Sequence, residues 1–175
     1  FQYTKLFRSR CAWGFIISVP ANLMTLYESF AEYWGAFLAE YRRRVGDPTT
    51  PEGRTLLTAH SPLFQAENIR APLLLGQGAN DSRVPTSEAE QIVEAMQSND
   101  QQVTYLLYGE EGHGNRLPAN NRAGTAITEQ FLSACLGGES EPIGDDLKGS
   151  TLSVPYGHEF IDGLSEALNR LVAME

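Results

Sequence analysis

Two residues of this sequence, Asp81 and His113, sit where a carboxylate and an imidazole could work together. Asp81 lies in the loop GANDSRVP after the apolar run PLLLGQG at 72–78, and His113 lies in GEEGHGN after VTYLLY at 103–108. Both runs have the length and apolar continuity of buried strands. Functional groups of open α/β sheets gather at the carboxyl ends of parallel strands, so the two loops should share one rim. An aspartate there can accept the Nδ1–H of the histidine, fix its tautomer and stabilise the imidazolium, while Nε2 takes a proton from a nucleophile. This is the acid–base part of an acyl-transfer triad, and its order, acid before histidine, places the nucleophile earlier in the chain. No G-x-S-x-G occurs: Ser9 sits in FRSRC, Ser18 in a strand, and Ser29 and Ser61 lack flanking glycines. Cys11, in SRCAW, lacks the small neighbours that a sharp nucleophile elbow requires.

Each of these residues has a plainer reading. A lone aspartate after a strand is usually a turn or helix cap, but DSRVP before a helix, paired with EGHG after the next strand, favours catalysis. Glu110 and Glu111 are explained by a solvated acidic turn. His60 ends a helix and His158 belongs to a docked tail, with no partner to name for either. Trp13 and Trp34 read as core aromatics rather than a substrate platform.

The elements that must position the pair follow from periodicity. Short apolar runs alternate with stretches of helical period from residue 12 to 136, which predicts a mostly parallel sheet flanked by helices. AWGFIIS at 12–18 reads as a central strand covered on both faces. Tyr33, Phe37, Tyr41 and Val45, four apart, predict a helix that buries its aromatic side and stops near Gly46. Thr50 before Pro51 starts a second helix running towards His60. Ser87 and Glu90 have capping-box spacing, and Ala89, Ile92, Val93 and Met96 give the helix that follows an apolar face. A further helix over 119–136 carries Ala123, Ile127, Phe131 and Cys135 and ends at Gly137–Gly138. Residues 1–138 are thus expected to form the body. Residues 139–175 are expected to form an extension, GESEPIGDDLKGS over the surface and then a helix with Ile161, Leu164, Leu168 and Leu171 docking on the same domain.

Composition excludes several classes. The chain has 175 residues, 42% hydrophobic and 20% charged, within the range of one globular domain. A formal charge of −9 repels phosphate backbones, so no nucleic-acid partner is expected, and Arg42, Arg43 and Arg44 read as a solvated helix face. No run reaches the roughly 18 apolar residues that span a bilayer. The two cysteines are expected to be buried thiols, neither a zinc site nor a redox pair, and no metal or cofactor is called for. They do not settle the compartment, for which the cytoplasm is the expectation. The opening at Phe1 does not read as a signal peptide and suggests a chain that begins inside a longer one.

The stretch SPLFQAENIRAPLLLGQGANDSRVPTSEAEQIVEAM, followed by VTYLLYGEEGHG, resembles the catalytic domain of the prolyl oligopeptidase family of serine peptidases, which includes acylaminoacyl-peptidases and dipeptidyl peptidases. The resemblance implies the C-terminal part of an α/β-hydrolase fold, with the nucleophile-bearing N-terminal half absent. It implies that Asp81 is the acid and His113 the base, that Arg83 of NDSRVP binds a substrate backbone carbonyl, and that the substrates are peptides. A structural ion pair is the alternative for Arg83. By the same resemblance the serine precedes Phe1 by on the order of 10–20 residues, and the chain alone, lacking serine and oxyanion donors, should be inactive. An α/β-hydrolase esterase and a truncated copy serving as a binding or assembly module are the rival readings. A sheet lacking its first half would also leave an apolar edge, so self-association or pairing with the missing N-terminal part of the same protein is expected.

Overall fold

The computed structural model describes residues 13–30 and 34–173. Strands β1 (Gly14–Ile17), β2 (Leu73–Gly78) and β3 (Val103–Tyr108) lie side by side and parallel, and β4 (Leu152–Tyr156) joins β3 antiparallel. Six α-helices accompany them among the described residues: α1 (Leu23–Ser29), α2 (Gly35–Val45), α3 (Pro51–His60), α4 (Thr86–Ser98), α5 (Pro118–Leu136) and α6 (Leu164–Val172). The mostly parallel sheet with flanking helices is the architecture expected.

Period-two geometry divides the core between the two faces of the sheet. Leu74, Leu106 and Tyr108 face α5 and α6 and pack with Ala123, Ile127 and Phe131. Leu73, Leu75, Val103 and Tyr105 face the other way, onto Ala89, Ile92, Val93 and Met96 of α4. A fully buried Leu, Ile or Phe side chain contributes about 1.5–3 kcal/mol, so these two layers fix β2 and β3 between helices. The excursion after Gly138 is pinned by Ile143 and Leu147, which are 2% and 1% exposed. The tail follows with Ile161 and Leu164 buried in the same cluster and Leu168 and Leu171 packed against it.

Several expectations are corrected. Among the described residues β1 is an edge strand, bonded to β2 alone, and Phe15 and Ile17 are each 43% exposed. An apolar run shows that a strand can be covered on both faces, but not which neighbours it has. α2 does stop at Gly46, yet none of its residues is buried and Phe37 is half exposed. Its rings pack on one another and on the end of α1 instead: Phe37 on Tyr41, Trp34 on Phe30, and Tyr41 on Tyr27. Tyr33 lies outside the described residues.

The capping box at Ser87 and Glu90 does not form. α4 begins at Thr86, behind an extended Pro85 that has no side-chain cap, which leaves Ser87 inside the first turn. Thr50, by contrast, caps α3 as expected, its Oγ1 accepting from Gly53 N at 3.0 Å with Pro51 next in line. β4 was not expected; it contains Pro155, whose missing N–H is tolerated in a strand at the sheet edge. Cys135, expected as a buried thiol, is half-buried and disulfide-bonded. Cys11, the other cysteine of the sequence, lies outside the described residues.

Candidate active site

Gly78 at the end of β2 stands opposite Tyr108 at the end of β3, so the two following loops leave the sheet together. They are stitched to each other by main chain. Ala79 N donates to Tyr108 O at 2.9 Å and Asn80 N to Glu111 O at 2.9 Å, while Asn80 Nδ2 reaches Gly109 O at 2.9 Å. The contact is close enough that a Cβ on Gly78 would stand 2.1 Å from Gly112 O.

This stitching brings together the two residues singled out in the sequence. His113 Nδ1 lies 2.8 Å from Asp81 Oδ2. The side chain of Asp81 has no exposed surface, whereas that of His113 is 42% exposed. An ionised carboxylate can only accept, so the Nδ1 that faces Asp81 carries the proton. The other carboxylate oxygen, Oδ1, accepts from Arg83 N at 2.8 Å and Val84 N at 3.0 Å. Gln77 Nε2 sits 3.4 Å from Oδ2 and is itself held by Val84 O at 2.9 Å.

Burial pushes the Asp81 carboxyl up, but the N–H groups of Val84 and Arg83, the His113 ring and Ser18 outweigh it and hold the pKa below its ordinary value. Ser18 stands just past β1 with a left-handed φ of 53°. Its buried hydroxyl lowers the charge cost at Asp81 without meeting hydrogen-bond geometry with any described group. We therefore regard it as a weak polar contact.

Arg83 contributes its backbone to this arrangement and sends its side chain to the surface. It forms no ion pair with any described residue, so the alternative of a structural ion pair is not what the structure contains. His60 ends α3, as expected. His158 has a partner after all, Ser165 Oγ at 2.8 Å, out on the tail.

Glu111 corrects the reading of an acidic turn. Glu110 is exposed, but Glu111 is 2% exposed and accepts from Arg116 N, Leu117 N and Asn120 Nδ2 at 2.9, 2.8 and 2.9 Å. Gln77 and Ser18 were also missed. A polar side chain inside a buried run must find partners, which is the signal Gln77 offered in PLLLGQG. Among the described residues no group of three or more His, Cys, Asp or Glu could hold a metal ion, and no helix is long and apolar enough to cross a membrane.

Such a site can orient an imidazole and take up the positive charge that develops on it; its chemistry is that of a general base coupled to a carboxylate. Comparison with known proteins agrees in kind. Dipeptidyl aminopeptidase BIII of Pseudoxanthomonas mexicana is 50% identical over 157 residues, covering 90% of this chain and 23% of that protein. Dipeptidyl peptidase family member 6 of Caenorhabditis elegans is 42% identical over 133 residues, covering 75% of this chain and 18% of that protein. The chain thus spans less than a quarter of the length of either relative. Among solved structures, a puromycin-hydrolyzing peptidase of Mycobacterium tuberculosis superposes with a TM-score of 0.62 at 23% identity over 73% of this chain and 19% of that one. An acylaminoacyl peptidase of Pyrococcus horikoshii gives 0.59 at 21% identity over 83% of this chain and 23% of that one. These two likenesses show the α/β-hydrolase fold. The model of the prolyl oligopeptidase family matches residues 10–139, and this chain belongs to that family of peptidases.

Proposed function

We propose that this chain carries the acid and the base of a serine peptidase whose nucleophile stands on an earlier segment of the same protein. The observation that carries the reading is the 2.8 Å contact between His113 Nδ1 and a fully buried Asp81 on the neighbouring strand tip. Asp81 holds the ring. His113 Nε2 takes the proton of the serine hydroxyl as it attacks the peptide carbonyl, then returns a proton to the departing amine. The resulting acyl-enzyme is hydrolysed by water, with the same nitrogen as base. In this proposal Arg83, exposed and free of ion pairs among the described residues, binds a backbone carbonyl of the substrate. Two relatives are named for dipeptide release, which makes short peptides with a free amino end the substrates we favour. A disulfide at Cys135 suits an oxidising compartment better than the cytoplasm.

The partner of the β1 edge, on this reading, is the preceding part of the same polypeptide. Phe15 and Ile17 line a groove of about 690 Å³ together with Tyr108, Leu132 and Leu136.

Extending the reading frame upstream to an in-frame G-x-S-x-G, and assaying the longer protein on dipeptidyl amides and on carboxylic esters, tests the proposal. Amide hydrolysis is expected, falling about 10⁴-fold in Asp81→Asn. Hydrolysis of esters alone would reassign the protein as an esterase. A frame that supplies no serine would leave a binding or assembly module.

A further inference from the structure

We infer that Glu111 is a positioning residue of this site: its buried carboxylate folds the loop between β3 and α5 into the shape that presents His113 to Asp81. The inference rests on the Asp81–His113 pair as the working pair of the site.

The loop has a difficult task. Within a few residues the chain must leave β3, turn across the end of β2, place an imidazole on the rim and enter α5 at Pro118. The first turn of a helix brings N–H groups without intrahelical partners, and Pro118 removes one without satisfying the others. The N-cap of α5, Leu117, has no capping side chain. Glu111 does not cap those N–H groups; it ties down the two residues that lead into the helix and one side chain of its first turn. Oε2 accepts from Arg116 N, and Oε1 accepts from Leu117 N and from the side chain of Asn120 within α5. A span of residues containing His113 is thereby closed at both ends by one carboxylate.

The same residue grips the partner loop. Its carbonyl accepts from Asn80 N, immediately before Asp81, and would stand 2.5 Å from a Cβ on Gly78. The acid and the base are thus each one or two residues from an atom of Glu111. Gly112 and Gly114, bridged across His113, complete the tight turn, Gly114 with a left-handed φ of 99°.

Asn120 in turn binds the extension. Its Oδ1 accepts from Thr151 N at 2.8 Å and its Nδ2 reaches Thr151 Oγ1 at 3.1 Å, while Gly109 N donates to Thr151 O at 3.0 Å. The segment before β4 therefore backs the loop from behind. Burial opposes the charge on Glu111, but the Asn120 amide, the two backbone N–H groups and the Arg116 charge win and hold its pKa below the ordinary glutamate value. At neutral pH the carboxylate has the charged, acceptor-only form that the loop needs.

The test is run on the intact protein by proton NMR, reading the low-field resonance of His113 Nδ1–H, with thermal unfolding followed in parallel. Glu111→Ala is expected to broaden or abolish that resonance. Glu111→Gln, which keeps Oε1 but turns a donor towards Arg116 N, is expected to weaken it while the protein stays folded. Glu88→Gln serves as the control, since Glu88 is a carboxylate equally buried that joins α4 to Asn22 and lies outside the site. In the form that carries the nucleophile, Glu111→Gln lowers kcat between about tenfold and a hundredfold with KM nearly unchanged, as a misplaced base requires. A resonance that vanishes in Asp81→Asn but is as strong in both Glu111 variants as in Glu88→Gln overturns the inference and leaves the pair intact. A resonance that survives Asp81→Asn removes the pair itself and the inference with it.

Discussion

A carboxylate with no exposed surface stays charged only if hydrogen bonds replace the water it has lost, and Asp81 shows how that is done with little sequence. Its Oδ1 is capped by the N–H groups of Arg83 and Val84, so the loop that bears it also neutralises it. The consequence is a pH dependence of known sign. The folded pKa lies below the ordinary value, so the stabilisation is complete above the unfolded pKa and is lost as the pH falls through the folded one. Asp81→Asn should therefore cost about 2 kcal/mol at neutral pH, and the gap to the native protein should close below about pH 4. Chemical denaturation of both proteins across pH 2 to 7 checks this; a constant gap would show that the charge of Asp81 is not what stabilises the loop. Asp81 and His113 were legible because each follows a strand that its own apolar residues announce. Glu111 was not, because its partners at Arg116, Leu117 and Asn120 come near only once the loop has turned back on itself.

At the scale of elements, the alignment of β2 and β3 decides whether the pair can meet, and its most sensitive point is Gly78. A methyl group there would have to displace the backbone carbonyls of Gly112 and Glu111, which stand 2.1 and 2.5 Å from the ideal Cβ. Backbone in a stitched loop does not yield as a side chain tip does. Gly78→Ala should destabilise the protein by roughly 2–4 kcal/mol and weaken the His113 Nδ1–H resonance, although it removes no polar group. Full stability in that variant would mean that the loops are not in contact. β3 supplies the opposite kind of prediction. The Tyr105 hydroxyl is buried with no hydrogen-bond partner among the described residues, and burial, helped by the Glu90 charge, pushes its pKa up to about 12. Its neutral form is favoured by folding, so that contribution is whole below the usual tyrosine value and is lost as the pH rises towards 12. Spectrophotometric titration should show that Tyr105→Phe loses one of the late-ionising phenols, and that variant should melt higher, being more stable by up to about 1–2 kcal/mol. A lower melting temperature would reveal a partner for the hydroxyl. The buried strands and the faces of α4 and α5 were readable because one periodicity ruled each of them. α2 was misread because aromatic spacing reports a shared side, not what covers it. β4 was missed; its Pro155 is tolerated because the strand lies at the sheet edge.

For the molecule as a whole, two forces compete at the open side of the sheet. Among the described residues β1 has no strand on its outer edge, which lies beside an apolar groove with Phe15, Ile17 and Leu136 all well exposed. An edge of this kind recruits another strand, from the preceding part of the same protein or, failing that, from a second copy. Against this stands a formal charge of −9, which repels a second copy across the whole surface. The balance depends on range. Repulsion between surface charges is screened over about 8 Å at physiological salt and about 3 Å at 1 M, whereas apolar contact is strengthened, if anything, by salt. The 175-residue chain alone should thus associate weakly at low salt and more strongly as salt is raised. Ile17→Lys, which places a charge on the edge, should return it to monomer. On the proposed reading the longer protein brings its own strand to that edge, and it should show no such salt dependence at the same concentrations. Light scattering on the three proteins separates the cases, and a short chain that stays monomeric at every ionic strength would mean that the β1 edge is already covered. That reversal would also weaken the proposed source of the nucleophile, since the segment meant to bring the serine to His113 is the one meant to pair with β1.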